Sequence, residues 1–195
     1  MVEIDMNHMT FQECRLLMAE DKKRFKIDST GKRISVILTS FFRIGNYLMS
    51  KHNIVARFIL FFYVKPIYFV LRLLTGIQLP LGTKVMGGVR FPHYSCIIIA
   101  KSCFIGKNCT IHQGVTLGQS HFGKHQGYPT IGNNVLIYAG AKICGRIHIG
   151  NNVVIGANAV ITNDIPDNCV VVGHNKIVST DSYNVLGERG RKIFW

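Results

Sequence analysis

Eight histidines and six cysteines carry most of the side-chain chemistry available to this 195-residue chain. His93 stands apart by its setting, the stretch FPHYSCII, which is an eight-residue unit in a run otherwise built on sixes. An imidazole with a pKa near 6.5 can take a proton from a hydroxyl at neutral pH, so His93 reads either as a general base or as a turn residue. His112 holds the second place of its own unit and is expected to face solvent. His121 and His125 fall on a loop, as solvated side chains or as ligand contacts. Three neutral imidazoles converging at about 2.0–2.1 Å would hold zinc. His93, His112 and His148 sit in different units with no matching spacing, so no metal site is expected. Cys14, Cys96, Cys103, Cys109, Cys144 and Cys169 form no CxxC pair. Cys103 and Cys109 occupy the same small position in consecutive units and read as packing residues with free thiols.

The element that must position these residues runs from Val85 to about Pro166. An apolar residue opens each unit: Val85, Phe91, Ile99, Ile105, Ile111 and Leu117, then Ile131 and every sixth residue to Ile161. The fifth place is small or β-branched, as at Val89, Cys103, Val115, Ala141 and Ala159. Gly or Asn recurs at the expected corners, where turns need positive φ. The register breaks at Phe91 and again after Leu117, where a loop leaves at about Gly118 to Thr130. A fixed period of six fits neither a helix nor simple strand alternation. It predicts a mainly β fold, a left-handed parallel β-helix in which three units close a triangular coil and twelve units give about four coils.

A small helical region precedes the coil. Thr10 to Glu13 fits a capping box, and Phe11, Leu17 and Met18 give a short amphipathic helix. Residues 21–33 are charged and contain Ser29 and Gly31, which suggests a linker. Ile34, Ile37, Leu38, Phe41, Ile44 and Leu48 recur at helical spacing. Ile54 to Leu74 is the most apolar stretch and long enough to span a membrane. Arg57, Lys65 and Arg72 argue against spanning, and Pro66 is expected to split the stretch into two helices. Those helices are expected either to pack on partner subunits or to lie peripherally on the inner membrane face. The division is a helical region over 1–78, the β-helix over 79–179 and a C-terminal tail over 180–195.

Net charge is +13 and evenly spread, with 12 Lys/Arg against 6 Asp/Glu in residues 1–78 and 11 against 4 in the rest. Such a balance suits anionic partners as well as solubility. With no long basic run and no base-stacking motif, nucleic acid is not expected. The start MVEIDMNHM lacks a signal-peptide pattern, so a reducing, cytoplasmic setting is expected.

From about Gly76 to Ser179 the chain resembles the serine O-acetyltransferase branch of the hexapeptide-repeat acyltransferases. The resemblance rests on FPHYSCIII, CTIHQGVTLG, the loop ending YPTIG, YAGAKICGRIHIG and the closing VVGHNKIV. It implies acetyl transfer from acetyl-CoA to an acceptor hydroxyl, L-serine or a sugar hydroxyl in surface-polysaccharide synthesis. It also implies a homotrimer, or a dimer of trimers, with clefts between subunits. The family's catalytic histidine falls on His93. CoA-contacting positions fall near Gly118, Ala139, Lys142 and Ala157 and in the closing turn to Lys176, with Lys142, Arg146 or Lys176 available for CoA phosphates. The carboxylate that pairs with the family's catalytic histidine is replaced by Gln78, whose amide can still orient the imidazole but cannot stabilise its protonated form as a charge would, and the acid before that histidine by Pro92. The Arg-His pair at the loop's end is replaced by Gly127 and Tyr128. These changes favour a neutral acceptor, with Gln78 hydrogen-bonding a hydroxyl and Tyr128 stacking on a sugar. Members that bind a sulfhydrylase partner end in Ile. The end at Trp195 predicts no such complex. The alternative is an inactive β-helical scaffold or membrane-docked partner of a polysaccharide assembly.

Overall fold

Residues 8–25, 32–121 and 124–179 are described by the computed structural model of the chain. The twelve residues that open the units, from Val85 to Ile161, are all at most 1% exposed. The fifth-place residues, including Val89, Cys103, Cys109, Val135, Ala141, Ile147 and Val153, are buried beside them. Stacking follows from the period. Ile99, Leu117, Ile143 and Ile161 lie in register on successive coils, as do Val85, Ile105, Ile131 and Ile149. Each fully buried aliphatic side chain contributes about 1.5–3 kcal/mol. Burial also pushes the Cys109 thiol up to about 11 and that of Cys103 up to about 12, as expected of packing residues.

Short strands form the three flat faces of a prism. The first face carries Ile77–Gln78, Ile97–Ile99, Thr116–Gly118, Lys142–Cys144 and Val160–Ile161. The second carries Lys84–Val85, Phe104–Ile105, Thr130–Ile131 and His148–Ile149. The third carries Thr110–Ile111, Leu136–Ile137, Val154–Ile155 and Val170–Val172, and Lys176–Ser179 returns antiparallel beside the last of these. The strands begin at Ile77, two residues ahead of the expected boundary at 79. Ile77, Leu79, Ile165 and Val171 extend the buried ladder beyond the twelve units.

The chain therefore has three kinds of corner. Between the second and third faces, Asn108, Asn134, Asn152 and Asn168 all take φ of 55–59°. Their amides chain coil to coil: Asn108 donates to Asn134 at 3.3 Å, Asn134 to Asn152 at 3.0 Å and Asn152 to Asn168 at 2.9 Å. Between the first and second faces the loop leaves the coil. Between the third and first faces lies His93.

The helices close the lower end of the prism. Thr10 and Glu13 form the expected capping box, each backbone N–H bonded by the other's side chain. Helix α1 (Phe11–Phe25) runs through residues 21–25, and α2 (Lys32–Met49) takes in 32 and 33, so the expected linker over 21–33 is shorter than its composition suggested. Asp21 explains why. It is buried and paired with buried Arg43 at 2.9 Å, and it accepts the Gly88 and Val89 N–H groups at 2.9 and 3.0 Å. Arg43 donates to the Val85 and Met86 carbonyls, and Tyr68 donates to that of Leu79. Side chains thus satisfy the first coil's backbone, which has no coil beneath it.

Ile54 to Thr75 is one continuous helix rather than two. It comprises α3 (Ile54–Ile59), a π-turn (Leu60–Val64) and α4 (Lys65–Thr75). The Lys65 N–H bonds the Leu60 carbonyl, five residues back. That slip in the ladder accommodates the ring and missing donor of Pro66 without a break. The tail over 180–195 lies outside the described residues.

Candidate active site

The two extra residues of FPHYSCII are absorbed at the corner between the third and first faces. Ser95 (φ 140°) and Cys96 (φ 51°) adopt left-handed backbone there. Non-glycine residues in that region cost of order 1–3 kcal/mol each, and such strain concentrates at functional positions. The bulge presents His93 and Tyr94 to solvent while Pro92 is buried beneath them.

Three rings climb this corner. His93 faces His112 on the next coil, with centroids 5.9 Å apart, and His112 stacks on Tyr138 at 5.3 Å and 21°. Burial pushes the Tyr138 phenol upward. Backbone bonds fix the stack: the His112 N–H bonds the Ile137 carbonyl at 3.0 Å and that of Tyr138 bonds Ile155 at 2.9 Å. His112, expected at the surface, is half-buried in this stack, and Tyr138 is not among the expected site residues. Both hold the second place of consecutive units on the third face, a signal the period itself contains.

Beside this corner the outward positions of the first face form a register column of Gln78, Ile98, Thr116, Lys142 and Val160. Gln78 lines an open groove of about 460 Å³ with Leu73, Leu74, Thr75, Tyr94, Cys96 and Ile98. Gln78 thus lies near the His93 bulge, although the ring that meets His93 belongs to His112. Lys142 Nζ donates to the Gly114 carbonyl and, at 3.2 Å, to Thr116 Oγ1, which keeps the ammonium at the histidine corner. Ala139 and the exposed Ala157 are small residues on the corner's upper coils. Lys176 follows the turn at His174 and Asn175, which bridges back to Val160 above the same corner.

The remaining expected positions lie elsewhere. Gly118 ends a strand on the far edge of the first face, where a Cβ would sit 3.2 Å from Cys144 Sγ. Tyr128 belongs to the loop corner. Its ring packs on the core and its hydroxyl donates to Gln119 Oε1 at 2.8 Å. The loop's base is a reciprocal Ser120–Gly127 pair, and the Arg146 N–H bonds the His125 carbonyl at 2.8 Å. Within one chain, His93, Gln78, Ala139, Ala157 and Lys142 gather at one corner, while Gly118, Tyr128 and Arg146 gather at the next. Among the described residues no three His, Cys, Asp or Glu side chains group as metal ligands.

Comparison with known proteins places this architecture. Residues 128–163 match the family described as bacterial transferase hexapeptide (six repeats), and residues 96–120 match the hexapeptide repeat of succinyl-transferase. The prism is therefore a left-handed β-helix of hexapeptide repeats. More particularly, the coil is similar to that of serine acetyltransferases. It is 44% identical over 104 residues to a serine acetyltransferase of Synechococcus elongatus, covering 52% of this chain and 42% of that protein. It is 44% identical over 117 residues to one of Staphylococcus aureus, covering 58% and 54%. Serine acetyltransferase isoform 3 of Entamoeba histolytica, solved with cysteine, aligns at 25% identity and TM-score 0.67 over 90% of this chain and 64% of that one. A serine acetyltransferase solved with CoA aligns at 25% and 0.69 over 86% and 70%. The chain spans about half the length of the curated relatives it matches.

Proposed function

We propose that the chain transfers the acetyl group of acetyl-CoA to an acceptor hydroxyl, with His93 as general base. The observation that carries this reading is the strained eight-residue bulge that holds an exposed imidazole at the foot of the His93–His112–Tyr138 stack. His93 takes the hydroxyl proton as the oxygen attacks the thioester carbonyl, and returns it to the departing sulfur. Such a base contributes about 10²–10⁴-fold. Ala139 and Ala157 leave room along the corner for the pantetheine arm, and Lys142 supplies a cation beside it. The relatives' names support this donor and a serine-type acceptor.

The working unit is a homotrimer. The histidine corner and the loop corner bound opposite edges of the first face, so one chain supplies only half of a cleft. Packing His93 of one copy against the loop of the next completes it. Light scattering that shows a monomer at micromolar concentration removes this assembly.

One observation favours a sugar hydroxyl over free serine. The groove at Gln78 is lined by neutral side chains, whereas a zwitterionic amino acid needs paired charges when desolvated. Gln78 donates and accepts hydrogen bonds and Tyr94 offers a ring face. Measured kcat/KM decides between them, and the expected result is acetylation of sugar hydroxyls at least as good as that of serine. A hundredfold preference for serine, about 2.7 kcal/mol in the transition state, establishes the amino acid as acceptor.

A further inference from the structure

The helix Ile54–Thr75 uses only a narrow stripe to hold the protein together. Ala56, Leu60, Val64, Tyr68, Leu71 and Thr75, spaced by threes and fours, are buried. The rest of its circumference is apolar and bare: Ile54 is 79% exposed, Phe61 62%, Phe69 59% and Leu73 67%. Isolated exposed apolar residues are ordinary, but a continuous face of this size on one element marks an interaction surface.

We infer that this face docks on an anionic lipid bilayer, with the helix lying in the plane of the interface. Three observations select the occupant. The segment carries Arg57, Lys65 and Arg72 and no acidic residue, so its charge complements anionic headgroups. Arg57 and Lys65 are exposed, and the Lys65 ammonium sits 5.8 Å from the Phe61 ring, where it can reach headgroups while the ring enters the acyl boundary. A second copy seated on the same face would bring its own Arg57 and Lys65 to a helix that carries no carboxylate, which disfavours self-association. Spanning is excluded by attachment. The helix packs along α2, and α2 is pinned to the coil through Arg43, so the segment cannot leave the body to cross a bilayer. Leu73 and Leu74 belong both to this face and to the Gln78 groove, so docking brings the groove's mouth to the lipid surface.

Sedimentation of the full chain with vesicles tests this. Phosphatidylcholine vesicles containing a large phosphatidylglycerol fraction should bind at least tenfold more protein than phosphatidylcholine alone, with loss at high salt. Ile54→Glu combined with Phe69→Glu alters two exposed side chains and should lower binding at least tenfold, with the circular dichroism spectrum and thermal midpoint retained. Arg57→Gln combined with Lys65→Gln should remove most of the salt dependence. Two results overturn the inference. One is absence of binding to the anionic vesicles. The other is a drop in oligomer mass by light scattering for the double-Glu variant with vesicle binding unchanged, which assigns the face to a second copy.

Discussion

Two corners of the same prism are built from the same repeat and have opposite characters. At the asparagine corner each amide satisfies the one above it, and a second ladder runs alongside, with the Asn133 N–H on Asn151 at 2.9 Å and that of Asn151 on Asp167 at 2.7 Å. At the histidine corner, glycines and aromatic rings replace the asparagines through most of the coils, the eight-residue unit inserts Ser95 and Cys96 at positive φ, and the Gln113 Oε1 atom is buried without a partner. A repeat lets one edge supply order so that another can carry strain and unspent polar groups. With His93 as the proposed base, stability and chemistry fall at different corners of a single rung.

That separation can be broken from either side. The largest effect should come from Asp21→Ala, which leaves Arg43 buried and unpaired below the asparagine corner and strips two backbone N–H groups of their acceptor. A loss of about 3–5 kcal/mol is expected in chemical denaturation. A small change there with full loss of turnover would move the helices to the catalytic side of the comparison. His93→Ala should lower kcat by about a hundredfold or more, with CoA affinity by calorimetry and the thermal midpoint nearly unchanged. Wild-type turnover removes the base assignment. Asn134→Ala breaks two rungs of the amide ladder and forces alanine to φ 55°, so it should cost about 1–2 kcal/mol without touching kcat. Asn134→Gly should recover the backbone part of that loss. The smallest effect is expected for His112→Ala. Ring pairs are worth about 0.5–1.5 kcal/mol, so a roughly two- to tenfold fall in kcat with unchanged KM for acetyl-CoA would show that the stack orients His93.

The coil was legible because its period leaves a mark on every sixth residue, from Val85 to Ile161, and the bulge at His93 was legible as an interruption of that period. The capping box at Thr10 and Glu13 was legible because it is local. Asp21 was hidden because its partners, Arg43, Gly88 and Val89, are distant in sequence, and a charged stretch looks the same whether its acid is solvated or locked. Pro66 misled because the π-turn that accommodates it has no residue signature. Tyr128 was placed by resemblance alone. Its bond to Gln119 follows from the loop's path, which the repeat does not dictate.

The two ends of the ladder bear on how copies meet. Below, Asp21, Arg43 and Tyr68 occupy backbone groups of the first coil. Above, Lys176–Ser179 runs against the direction of the stack. Open parallel rungs are a template on which another prism can add end to end, as in fibril growth. Among the described residues neither end of the ladder matches the other, so head-to-tail stacking lacks a complementary edge. Lateral contacts related by rotation would instead close into rings of fixed number.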